Sequence, residues 1–140
     1  VSPTARSLAL LREAGYLAAV VATWVPRVQV RRDLFGFADL LAFHPQQRVF
    51  LLVQCTSNAN VASRVHKVKQ SPAAAAWLAA GGQIEVHGWA KKLRRWHVRR
   101  VAVQLSEVEP LEAVEVQGLP RKRRERRCRE LYDGEGSEVT

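Results

Sequence analysis

Methionine is missing altogether from this chain, cysteine occurs only twice, and aromatic residues make up just 7%. With no CxxC pair, and no ligand-like spacing among His44, His66, His87 and His97, a zinc framework is excluded. Cys55 and Cys128 are lone thiols, Cys55 within a strand-like run, so a disulfide scaffold is not expected. No apolar run reaches the roughly 18–20 residues of a membrane span. The longest, residues 16–25, is strand-like and interrupted by Thr23. The first residues lack the basic start and cleavage site of a signal peptide, which predicts a cytoplasmic setting. The absence of Met at position 1 is what a trimmed or alternative start gives, and it bears on no chemistry.

What is abundant is positive charge. Lys and Arg number 22 against 13 Asp and Glu, for a net charge of +9. Such an excess draws polyanions, and nucleic acid is the commonest of them. With 47% hydrophobic and 25% charged residues, the 140 residues suffice for one globular domain with a true core.

Ser2-Pro3 marks a helix start, with Ser as cap and Pro in the first turn, and Gly15 marks its stop. Residues 16–24, 37–43 and 49–55 read as strands; the last is apolar almost throughout, as a strand covered on both faces should be. Helices are expected over 58–69 and 72–80, then strands over 84–89 and 96–105, joined by a basic turn at 91–95. The order α-β-β-β-α-α-β-β predicts an α/β domain over residues 1–110, with a mixed central sheet flanked by helices. Residues 111–140 read as a basic extension, with a charge run at 121–129 and a loose acidic end.

One charge stands out against this background. Asp39 sits at the start of an apolar strand, where a carboxylate is costly unless something pairs with it. Gln54 and Thr56 share one face of the next strand, opposite Cys55. The following helix carries Asn60, Arg64 and Lys67 at i, i+4, i+7, beside an apolar stripe of Val61, Val65 and Val68. Carboxylate, amide, hydroxyl and cation would converge at one end of the sheet, where a metal ion and a phosphate could sit. Asp33 is either a loop cap or partner of Arg31 or Arg32, or a second carboxylate if the turn over residues 34–37 folds back.

The ordered set helix, strand, Gly36-Phe37-Ala38-Asp39, strand, Gln54-Cys55-Thr56, helix resembles the PD-(D/E)xK nuclease superfamily. Within it, the likeness is to archaeal-type Holliday junction resolvases and their phage and bacterial relatives, over about residues 5–105. The resemblance implies a restriction-endonuclease-like fold and a Mg²⁺ (or Mn²⁺) dependent endonuclease acting in DNA recombination or repair. It also implies a homodimer and branched or flapped DNA as substrate. Asp39 would be the metal-binding Asp, with Gln54, the Cys55 carbonyl and possible Asp33 as further ligands. Gln54 falls where the family has Glu, Thr56 where it has Lys, and Ala38 where it has Pro. Arg64 or Lys67 would supply the missing cation from the helix. A Glu of the family's first helix has no counterpart at Ala5 or Arg6, and Glu13 is no obvious substitute.

Lys91, Lys92, Arg94, Arg95, Arg99 and Arg100 crowd a strand–turn–strand and are read as phosphate-gripping, with Asn60, Arg64 and Lys67 beside them. Trp89 and Trp96 are expected to cover the sheet. No recognition helix or finger signature reads bases. Two rivals stand beside the nuclease: a catalytically inactive DNA-binding module on the same fold, and a basic protein–protein adaptor.

Overall fold

Ser2 caps the first helix as its position implies. In the computed structural model, which describes residues 1–108, its Oγ accepts from Ala5 N at 3.2 Å, and α1 runs Pro3–Glu13. Gly15, at φ 91°, turns the chain out of the helix beneath the His44 ring. The strands follow as β1 Leu17–Val20, β2 Thr23–Val25, β3 Val30–Arg32, β4 Leu40–His44, β5 Val49–Ser57, β6 Gln83–Lys92 and β7 Arg95–Val103. Between β5 and β6 lie a 3-10 turn, Asn58–Asn60, and the helices α2 Val61–Lys69 and α3 Pro72–Ala79. Ser71 caps α3, accepting from Ala74 N at 3.3 Å.

The main sheet has five strands in the order β1-β4-β5-β6-β7. Among the described residues only β5 and β6 pair in parallel, and α2 and α3 form their crossover. This is the expected mixed α/β architecture, a mixed sheet flanked by helices. The core is split by the sheet. Leu11 of α1 packs with Leu40, Ala42, Leu51 and Val53 on one face. On the other, Val61, Val68, Ala74 and Ala75 of the two crossover helices meet Leu52, Ile84, Val86 and Val103. β5 therefore buries residues of both parities, which is why its sequence is apolar throughout.

The single strand expected over 16–24 is in fact two elements. β1 ends at Val20, where Val21 N turns to the Asp39 carbonyl at 2.9 Å, and β2 then pairs with β3 in a separate hairpin. Pro26 opens the hairpin's turn, and Gln29 at φ 51° closes it. β3 has only three exposed residues and so has no burial pattern by which to recognise it. The expected basic turn at 91–95 is shorter: β6 and β7 pair as far as Lys92↔Arg95, leaving Leu93 and Arg94 as a two-residue loop. The basic run at 121–129 and the extension over 111–140 lie outside the described residues.

Gly88 sets how closely α2 approaches the sheet. A Cβ there would collide with the Val61 side chain and lie 3.1 Å from Asn58 Cα. Because the second contact is backbone, the helix start cannot yield locally. Gly88→Ala is expected to lower stability by about 2–3 kcal/mol, measured as a fall in urea midpoint with unchanged slope.

Candidate functional site

Asp39 is held at the point where β4 leaves the β5 ladder. Its backbone N donates to the Val53 carbonyl at 2.8 Å, placing it opposite Gln54 in the continuing register. Its Oδ2 accepts two hydrogen bonds, from Gln54 Nε2 at 2.7 Å and Cys55 N at 2.8 Å. The side chain is 5% exposed. One carboxylate oxygen thus stands in for the next ladder carbonyl and satisfies a buried N–H.

The turn before it does fold back. Leu34 and Ala38 exchange backbone hydrogen bonds at 2.9 Å, and Phe35 and Gly36 adopt φ of 56° and 78° to close the loop. This brings the half-buried Asp33 carboxyl within hydrogen-bonding reach of Asp39. Burial pushes the Asp39 pKa up to about 6, the Cys55 N–H opposes the rise, the Asp33 charge adds to it, and Arg31 pulls it down. A neighbouring negative charge and burial act in the same direction here, favouring the neutral form of Asp39.

Gln54 is 2% exposed, and while its Nε2 serves Asp39, its Oε1 has no hydrogen-bond partner. An unsatisfied buried acceptor costs about 1–3 kcal/mol. Thr56, 6% exposed, lies two residues along the same face, as alternation requires. Asp33, Asp39, Gln54 and the Cys55 backbone are therefore assembled.

The helix stripe is placed differently. Arg64 is half-buried, Asn60 and Lys67 are exposed, and among the described residues no hydrogen bond or ion pair joins them to Asp39. The cation whose charge acts on Asp39 is Arg31 of β3. Sequence reasoning treats Arg31 only as a partner for Asp33. Its signal is the Arg-x-Asp spacing, legible only once β3 is known to be a strand. Arg31 lies directly opposite Trp24 in the hairpin, and the Trp24 ring is 61% exposed.

A second polar system occupies the α1 face. Trp89 Nε1 donates to Ser7 Oγ at 2.9 Å, and Ser7 Oγ also bonds His87 Nδ1 at 3.0 Å. His87 Nε2 reaches Glu85 Oε1 at 3.4 Å, and Arg100 binds both Glu85 oxygens at 2.7 and 3.1 Å. Burial would raise the Glu85 pKa, but the His87 and Arg100 bonds outweigh it and hold the acid down to about 2. Serine, histidine and acid stand in the order of a nucleophilic triad. Ser7 and His87 are wholly buried, so no substrate reaches them, and the chain of bonds is a tie between α1, β6 and β7.

Arg100, grouped in the sequence with the phosphate-gripping cations, is thus engaged by Glu85, while Lys91, Lys92, Arg94, Arg95 and Arg99 are exposed without an acidic partner among the described residues. Arg6, in the first turns of α1, stacks 3.8 Å from the centroid of the Trp96 ring. Burial, together with the Asp39 charge and against the Ser7 contact, pushes the Cys55 thiol up to about 12, far from nucleophilic use.

Among the described residues no group of three or more His, Cys, Asp or Glu side chains converges as a metal site. No described helix is long and apolar enough to cross a membrane. Comparison with known proteins finds no matching family model, curated protein or solved structure.

The raised acid sets a pH dependence. Asp39 moves from an ordinary 3.8 to about 6 on folding, so folding favours its protonated form. That stabilisation is complete below the unfolded value and is lost as pH rises through 6. In Asp39→Asn the amide oxygen keeps both donors and the NH₂ faces Asp33. The variant is expected to be more stable than the parent by about 1–2 kcal/mol at pH 8, with the gain vanishing near pH 4. Urea unfolding at the two pH values checks this, and a less stable variant at pH 8 would contradict it.

Proposed function

We propose that the protein is a divalent-cation-dependent DNA endonuclease of the PD-(D/E)xK type. The observation that carries the reading is the Asp33–Asp39 carboxyl pair against the buried Gln54 amide, whose Oε1 has no partner. Gln54 Nε2 now faces both Asp39 Oδ2 and the Cys55 carbonyl, at 2.7 and 3.4 Å; with that amide turned over, two carboxylates, a neutral amide oxygen and the Cys55 carbonyl would form an all-oxygen donor set, which suits Mg²⁺ or Mn²⁺ rather than zinc. An ion bound there would neutralise phosphate charge and lower the pKa of its water. The residues themselves set the conditions for this. Cys55 N–H and Gln54 Nε2 fix one oxygen of Asp39, which leaves the other for Asp33 or a ligand. Above pH 6 Asp39 loses its proton and gains the charge that a cation requires.

Arg31, with Trp24 opposite it, is the cation best situated to meet a phosphate near the pair. The unpaired cations of the β6–β7 hairpin would hold the DNA backbone through counterion release. Preference for Holliday junctions or flaps, a role in recombination or repair, and a homodimer rest on the sequence resemblance alone.

A second reading, the same fold binding DNA without cutting it, is favoured by one observation. Thr56 stands where a lysine is expected, and neither Arg64 nor Lys67 bonds to Asp39.

The test uses labelled four-way junctions, flaps and plain duplexes with Mg²⁺ or Mn²⁺. Cleavage is expected from the parent and a loss on the order of 100-fold from Asp39→Asn. Mg²⁺ should also raise the melting temperature of the parent at pH 8 but not at pH 5. Salt-steep binding without cutting, and without any metal-dependent thermal shift, would support the second reading instead.

A further inference from the structure

The β6–β7 ribbon outruns the sheet that supports it. β5 last registers with β6 at Ser57↔Trp89, whereas β6 and β7 go on pairing through Ala90↔His97, Lys91↔Trp96 and Lys92↔Arg95. Among the described residues, the end of the ribbon has no third strand beside it. Its loop is Leu93 and Arg94, both left-handed at φ 48° and 65°. A two-residue loop of this kind favours Asn and Gly, because a side chain at positive φ crowds the backbone. The leucine satisfies neither the turn nor the core: Leu93 is 98% exposed. Around it stand four exposed cations, Lys91, Lys92, Arg94 and Arg95.

We propose that this ribbon enters a groove of duplex DNA and that Leu93 acts as a wedge at an unstacked base step. Resting on the nucleic-acid reading above, this names what the protein recognises: a helical discontinuity such as a bulge, nick or branch. A two-stranded ribbon fits the major groove, and apolar side chains between weakened steps are a recurrent device for gripping bent DNA. The four cations take the flanking phosphates, while the leucine discriminates by the ease of unstacking rather than by base identity. A lipid surface is the other partner of an apolar tip among cations, but one exposed leucine gives little membrane affinity.

The experiment measures binding of the full chain in EDTA to a duplex with a single-base bulge flanked by 2-aminopurine, and to the intact duplex. The parent should bind the bulged duplex about tenfold more tightly and raise the 2-aminopurine fluorescence. Leu93→Asn retains a residue that tolerates the left-handed loop. It should bind the intact duplex as before, with the same salt dependence, and lose both the preference and the fluorescence rise. Lys91→Ala with Lys92→Ala should instead weaken binding to both duplexes and reduce the salt slope by about two. If Leu93→Asn keeps the preference and the signal, the wedge is overturned while the nucleic-acid reading stands. If the parent binds neither duplex at low salt, both fall, and Leu93-dependent binding to phosphatidylserine vesicles in that case would assign the tip to a membrane surface.

Discussion

The two hydrogen bonds to Asp39 Oδ2 are the constraint around which one end of the molecule is organised. At that point β4 diverges from β5 and can no longer supply a backbone acceptor. The Cys55 N–H would be left buried and unpaired, so a side-chain oxygen takes it at 2.8 Å. The same oxygen fixes the Gln54 amide at 2.7 Å and thereby decides which of its atoms is left orphaned. The backbone of Asp39 meanwhile bonds to Val53 on one side and Val21 on the other, so the residue joins three segments. A carboxylate is costly in such a place, and the cost is visible as a pKa raised to about 6. The structure retains the charge, close to a second acid, instead of the neutral amide that would serve the backbone equally well.

The opposite face solves a different problem. Ser7, His87 and Glu85 also bury polar atoms, but every step of that chain is partnered, and Arg100 closes it from β7. A fully satisfied network rigidifies what it joins. Here it locks α1 and β7 to β6, behind the strand that carries Cys55. The two polar systems are thus opposite in kind. One is complete and sealed; the other has an unpaired acceptor, a carboxyl with a raised pKa and a cation at its rim. That contrast makes the first a structural tie, and it is on the second that the proposed function rests.

Much of the frame was legible because local chemistry and tertiary context agree. The caps at Ser2 and Ser71, each before a proline, act as written, and the apolar run of β5 is indeed sandwiched by two cores. The mixed sheet with its helical crossover follows from the order of elements. The β2–β3 hairpin was not legible, since three-residue exposed strands leave no periodic trace. Its absence from the sequence reading also hid the placement of Arg31, whose charge acts on Asp39 from that hairpin. The pairing of Ser7 with His87 spans 80 residues and has no local signature at all. The position of Asp39, and its neighbours Gln54 and Cys55, could be read because strand alternation and register are short-range rules. The orientation of Arg64 and Lys67 could not, because helix periodicity gives a face but not what the face overlooks.

Charge distribution links the two ends of the molecule. The chain is strongly basic, yet its buried acids sit at the sheet end from which the cationic ribbon also extends. A polyanion drawn to the ribbon would meet repulsion at an ionised Asp33–Asp39 pair. Neutralising that pair takes a proton or a cation. With the Asp39 pKa at about 6, roughly a tenth of the molecules keep the proton at pH 7. Arg31 offsets the remaining charge only in part, since it is exposed and screened by solvent. Under the proposed reading, a divalent ion completes the neutralisation and makes the pair compatible with phosphate. DNA binding and ion binding then favour one another, because each relieves the charge that the other must face.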